Sequence, residues 1–132
     1  MSMVDSIVVL DHVHHISEDP IAAASWYVDK LGGKIIGSDQ ASGSLQIRVD
    51  FTNATVIVRG ARPGEQPGRK QGMHWGTDHF GLKIQGDFDG LCNELKKKGV
   101  VFTLEPKDVN PATRAAFIKG PDDVSIELIL RR

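Results

Sequence analysis

The sequence is 132 residues long, 40% apolar and 25% charged, with a formal net charge of −1. That balance fits one compact domain with a real core and offers no basic field to nucleic acid or anionic lipid. No apolar run approaches the roughly 18 residues of a membrane span, the N-terminus lacks a signal-like core, and the single cysteine, Cys92, precludes an internal disulfide, so a cytoplasmic protein is expected.

In chain order, Ile7 to Ile16 is rich in Val, Ile and His and reads as a strand. Asp19-Pro20 starts a helix, with Asp as N-cap and Pro at the first helical position. Ile21, Ala24, Val28 and Leu31 fall on one side of it, and Gly32-Gly33 ends it. Residues 34–38, 43–51 and 54–59 follow as three strands, with Asn53 in the last tight connection. The stretch from Gly60 to Asp78 is rich in Gly and Pro and reads as a linker or mobile loop.

The order then repeats. His79 to Ile84 reads as a strand, and Asp87 or Asp89 caps a helix whose apolar side is Phe88, Leu91, Cys92 and Leu95. Gly99 ends that helix after Lys96-Lys97-Lys98, a solvated end that suits the helix dipole. Residues 100–104, 114–119 and 124–130 supply three more strands, with Pro121-Asp122-Asp123 turning before the last. The chain therefore reads as two tandem βαβββ modules of α+β class: module one about 5–60, linker 61–77 and module two 78–132, forming one domain.

Three chemically capable residues fall at matching places in the two halves. His12 lies near the end of the first run, His79 opens the second half, and Glu127 interrupts the last apolar strand. Two imidazoles and a carboxylate suit a divalent metal with positions left open for substrate. Side chains alternate along a strand, so Glu127 shares a side with Ser125 and Ile129, away from Ile126 and Leu128. On the first strand His14 falls on the side of His12, about 6–7 Å along, and is placed to act as general acid or base or as an extra ligand. His15 points the other way and reads as structural or exposed. Cys92 is core packing. His74 and Trp75 are candidates for a cleft wall or dimer contact, Arg59 and Arg114 for an anionic substrate group, and Ile47, Val49 and Phe117 for an apolar pocket lining.

The motifs Asp11-His12-Val13 with Asp19, Trp26-Tyr27 with Leu31-Gly32, Asp78-His79-Phe80-Gly81-Leu82, and Phe117-Ile118 with Pro121-Asp122-Asp123 and Ile126-Glu127-Leu128 span almost the whole sequence. In this order they resemble the vicinal oxygen chelate superfamily, which includes glyoxalase I, methylmalonyl-CoA epimerase, fosfomycin- and bleomycin-resistance proteins and extradiol dioxygenases. The resemblance implies sheets curled around a metal cleft, a homodimer, and His12, His79 and Glu127 as ligands of Zn, Ni, Co, Mn or Fe(II). It further implies a lyase or isomerase of glyoxalase type on a small oxygen-chelating substrate, with Glu127 as a catalytic group beside the His14 read from the strand pattern. The alternatives are an Fe(II) ring-cleaving-type dioxygenase and a metal-free, antibiotic-binding resistance protein. Two departures stand out. The fourth ligand of glyoxalase I has no acid or amide counterpart here, the matching residues being Ile57 and Val58, and Asp123 stands where the family turn usually has Gly.

Overall fold

The computed structural model describes residues 5–69 and 71–132. The chain divides into two compact units, the first ending at Glu65 and the second beginning at Gln66. In the first, β1 (His12–Ile16), α1 (Pro20–Leu31), β2 (Lys34–Ala41), β3 (Ser44–Asp50) and β4 (Thr55–Arg59) form a sheet of order β1-β4-β3-β2 with one helix. In the second, β5 (Phe80–Lys83), α2 (Phe88–Lys97), β6 (Phe102–Asn110), β7 (Thr113–Lys119) and β8 (Ser125–Arg131) repeat the pattern as β5-β8-β7-β6. Each sheet is mixed: β1 runs parallel to β4 and β5 to β8, and the other pairs are antiparallel. The tandem α+β organisation expected from the order of turn residues is thus present.

The helix signals act as their chemistry requires. The Asp19 carboxylate accepts from the Ala22 amide with Pro20 at the first position, and Gly32 closes α1 in the left-handed conformation at φ 73°. Asp87, rather than Asp89, caps α2 by accepting from the Gly90 amide. The face of α1 differs from expectation. Ala23, Ala24 and Tyr27 are buried, while Ile21 and Val28 are exposed. The small alanines let the helix lie close to the sheet, and Tyr27 supplies the bulk. The sheet side under α1 carries Ile47, Val49, Val56 and Val58, all buried. Each such burial contributes about 1.5–3 kcal/mol. Ile47 and Val49 therefore belong to the core beneath the helix and do not line a pocket. In the second unit Phe88, Cys92 and Leu95 of α2 are buried, as are Ile118, Ile126 and Leu128 of the sheet.

Two strand boundaries depart from the sequence reading. The first strand begins at His12, not Ile7, and Ile7 and Val8 are 91% and 95% exposed. The reason is the partner: β4 opens at Thr55, opposite His12, and the Thr55 amide donates to the Asp11 carbonyl, and among the described residues no strand pairs with the residues before it. Conversely, β6 runs on to Asn110, well past Leu104, and carries Pro106. It is the edge strand of its sheet and its register shifts between Leu104 and Lys107, which is where a sheet tolerates a missing N–H. The last turn is tight. Asp122 and Asp123 both take positive φ, 56° and 59°, so Asp123 adopts the backbone that usually favours Gly.

Candidate functional site

In the second unit β5 and β8 place Gly81 opposite Glu127, and β7 places Phe117 on the other flank. His79 sits just before β5. Its Nε2 lies 3.3 Å from Glu127 Oε1, and its ring meets the edge of Phe117 at 4.7 Å between centroids. A Cβ on Gly81 would stand 3.6 Å from Glu127 Oε1, so the glycine keeps the space beside the carboxylate clear. The other ring nitrogen, Nδ1, pairs with Asp78 Oδ2 at 2.8 Å. That contact fixes the imidazole with Nε2 toward Glu127. His79 and Glu127 are both half-buried, and this strand-borne carboxylate is compensated by its imidazole neighbour.

In the first unit His12 opens β1, and its Nδ1 pairs with Asp11 Oδ2 at 2.7 Å, the same Asp–His contact made by the repeat-related dipeptide. His14 lies on the same side of the strand, 5.1 Å away between ring centroids. Desolvation first, and then the positive charges of His12, Arg59 and Arg62, hold the His14 pKa below the usual 6.5. His15 points to the opposite side, is buried, and shares a 2.9 Å hydrogen bond with the Tyr27 hydroxyl under α1. The alternation of the three histidines follows the strand period.

The registers show which residue of the first module corresponds to Glu127. Glu127 faces Gly81, two residues after His79, while in the first unit Ile57 faces His14, two residues after His12. Ile57 is thus the counterpart of Glu127 and is buried. Where the second module has a bare glycine beside a carboxylate, the first has an imidazole beside an aliphatic side chain.

Two of the three expected ligands, His79 and Glu127, are therefore brought together, and His12 has Asp11 and His14 as its neighbours in its own unit. Among the described residues no group of three or more His, Cys, Asp or Glu side chains is arranged to hold a metal. The pair in the second unit nevertheless has the right chemistry and spacing. Two donors on one ion at about 2.0–2.2 Å stand roughly 3.0–3.5 Å apart, which brackets the 3.3 Å observed.

The softer candidates divide. Arg114 is engaged by Asp89 at 3.0 Å and Asp108 at 3.3 Å, which ties β7 to α2 and β6. Its position on β7 alternates with Phe117, and it shares the Leu130 side, away from Glu127. Trp75 is fully exposed and His74 bonds only locally, to the Gly72 carbonyl. Lys96 pairs with Glu105 and lies over the Phe102 ring, so the lysine run is partly engaged. Asp11 and Asp78 stand in the sequence motifs, but the sequence reading gives them no role; the structure shows each bonded to the Nδ1 of the histidine that follows. Their signal was present, since the Asp-His dipeptide occurs at corresponding points of both halves.

This repeated module with its His–Glu pair defines a two-module α+β protein of vicinal oxygen chelate type. The chain belongs to the Glyoxalase/Bleomycin resistance protein/Dioxygenase superfamily, whose model matches residues 9–128. Solved structures share the fold. A glyoxalase family protein from Bacillus cereus is 15% identical with a TM-score of 0.82, covering 98% of this chain and 99% of that one. An antibiotic binding protein from Streptomyces sp. CB03234 is 22% identical with a TM-score of 0.70, over 96% and 98% of the two chains. The trypanothione-dependent glyoxalase I of Leishmania major is 15% identical with a TM-score of 0.74, over 94% and 87%. No curated protein matches the sequence. At these identities the likeness is one of fold, and the superfamily holds enzymes and binding proteins alike. No helix among the described residues is long and apolar enough to cross a membrane.

Proposed function

We propose that the two modules work as one domain, a divalent-metal-dependent enzyme of glyoxalase type acting as a lyase or isomerase on a small oxygen-chelating substrate. Its ligands are His12, His79 and Glu127, and the ion is Zn, Ni, Co, Mn or Fe(II). The single observation that carries this reading is the His79–Glu127 pair at 3.3 Å, with each motif histidine bonded through Nδ1 to the preceding aspartate. An aspartate at Nδ1 leaves Nε2 as the donor atom and fixes the ring orientation, as second-layer partners of metal-bound histidines do.

The bound ion would supply Lewis-acid stabilisation of negative charge developing on a substrate oxygen. The protein's own groups do the rest. Phe117 packs against the His79 ring on one side. His14, kept below the usual imidazole range, is neutral at pH 7 and accepts a substrate proton on a ring nitrogen. Returning that proton to the neighbouring carbon completes an isomerisation with no net proton change. Ile57 in the fourth-ligand place leaves that position to substrate or water. A homodimer in a reducing cytoplasm completes the reading, in which the buried Cys92 is core packing.

The second reading is a metal-free protein that sequesters a small molecule, favoured by the shared fold of the antibiotic binding protein. Protein purified without chelator separates the two. The enzyme reading predicts near-stoichiometric metal, loss of that metal in Glu127→Gln, and turnover that chelator abolishes and added ion restores. Oxygen-sensitive Fe(II) would move the assignment to a ring-cleaving-type dioxygenase. A folded protein with no metal affinity would replace the enzyme reading with the binder.

A further inference from the structure

Among the described residues, three buried side-chain polar atoms have no hydrogen-bond partner: Ser44 Oγ, Arg59 Nε and Arg62 Nε. All three belong to one corner of the first unit. Ser44 opens β3, Arg59 ends β4, and Arg62 lies in the loop that follows. Arg59 pairs across the strands with Gln46, and Ser44 shares Gln46's side of β3, so Ser44 and Arg59 are diagonal neighbours on one sheet face. The loop is drawn onto this corner. The Gly60 amide donates to the Leu45 carbonyl, and Pro63 lies so close to Gly43 that a Cβ there would come within 2.9 Å of it. Ser44 is buried, and Arg59 is 8% exposed.

Glu65 organises the corner without filling it. Its carboxylate accepts from Arg59 Nη1 at 2.7 Å and Nη2 at 3.2 Å, and from the Arg62 amide at 2.7 Å. Arg59 Nη1 also donates to the Gly60 carbonyl. The end of the Arg59 fork is therefore taken, while the flank bearing Nε–H is left. Two guanidinium charges stand against the one carboxylate that engages Arg59, which leaves a surplus of positive charge. His14 pairs with Ile57, two residues before Arg59, so Arg59 falls on the side of the sheet that bears His12 and His14. Buried donors in native proteins are satisfied, and orphaned ones call for a ligand, ion or water. Three orphans beside surplus positive charge select an acceptor with several oxygens and negative charge.

We propose that Ser44, Arg59 and Arg62 form a binding site for a small oxyanion, namely the carboxylate or phosphate-type group of an anionic ligand, with Arg59 held ready by Glu65. Taking that oxyanion as part of the substrate rests on the reading of this sheet face as the substrate side. The binding itself does not depend on that reading. The site then makes the substrate an oxygen-chelating molecule that also carries an acidic group.

The test uses the whole chain, stripped of metal with chelator, at constant ionic strength and fixed pH. Inorganic phosphate is titrated in one arm and acetate in another, while the arginine Nε–H signals are followed by NMR. The expected result is a saturable downfield shift of the Arg59 and Arg62 Nε–H signals in at least one arm, and the arm that saturates at lower concentration identifies the anion class. Arg62→Gln and Ser44→Ala leave the Arg59–Glu65 pair intact and should fold. Arg62→Gln should weaken binding about tenfold or more. No saturable shift in either arm, or equal affinity in Arg62→Gln, overturns the proposal and assigns the three atoms to bound water. Since metal plays no part, phosphate binding by a protein that takes up no ion would sink the metal reading and leave this site standing.

Discussion

Replacing Tyr27 with Phe probes how β1 divides its histidines between core and site. Tyr27 and His15 are both buried and share a 2.9 Å hydrogen bond, with their rings packed edge to face at 5.7 Å. Tyr27→Phe keeps the ring contacts, including the edge contact to Phe51 at 6.1 Å, and deletes one polar partner of a buried imidazole. Removing one partner of a buried bond costs about 1–3 kcal/mol. For a chain of this size that is a fall in Tm of roughly 4–12 °C. His14, one residue away and exposed on the other side, should behave differently, and His14→Ala should stay within about 0.5 kcal/mol of wild type. Thermal unfolding followed by near-UV circular dichroism, with a denaturant series alongside, reads both variants. The reasoning fails if Tyr27→Phe unfolds within a degree of wild type, or if His14→Ala costs as much.

Other outcomes follow from the same geometry. Gly33→Ala would put a Cβ 2.5 Å from Val49 Cγ1 and 3.0 Å from the Phe51 ring, so denaturant unfolding should show a loss of about 1–3 kcal/mol. The Glu65 carboxyl, bonded first by the Arg59 side chain and then by the Arg62 amide, is held at about 2, against an ordinary 4.5. A depressed carboxylate stabilises the fold fully above its unfolded value and loses that contribution as pH falls toward its folded one, so the Glu65 part should vanish between about 4.5 and about 2. Carboxyl-carbon NMR should show that low midpoint, with Arg59→Ala returning it toward 4.5. Asp78→Asn should keep the fold yet weaken metal binding about tenfold, because the imidazole loses its anionic orienter; calorimetry with Zn or Ni checks this.

Much of the architecture was legible in the sequence because both modules use the same local devices. Asp19-Pro20 and Asp87 cap helices, Gly32 and Gly99 follow them, and the apolar strands between turn residues pair in the same order twice. What escaped was set by partners rather than by local pattern. Ile7 to Leu10 are as strand-prone as any segment, yet among the described residues no strand pairs with them. Residues 105–110 look unlike a strand, yet an edge position accepts Pro106 and the charges. The phase of α1 departs from the apolar periodicity because its close approach favours Ala23 and Ala24 over the larger Ile21 and Val28. At the site, alternation correctly separated His12 and His14 from His15, and Glu127 from Ile126 and Leu128. The Arg59–Glu65 contact and its orphaned neighbours depend on how the loop after β4 folds back, which no periodicity encodes.

The most direct test of the metal assignment is a calorimetric titration of chelator-stripped protein with Zn, Ni or Mn, run for wild type, His12→Ala, His79→Ala and Glu127→Gln. About one tight site per chain is expected in wild type, with the affinity cut in all three variants while their unfolding stays cooperative. Uptake that survives loss of His12, or a folded wild-type protein that binds none of these ions, would contradict that assignment.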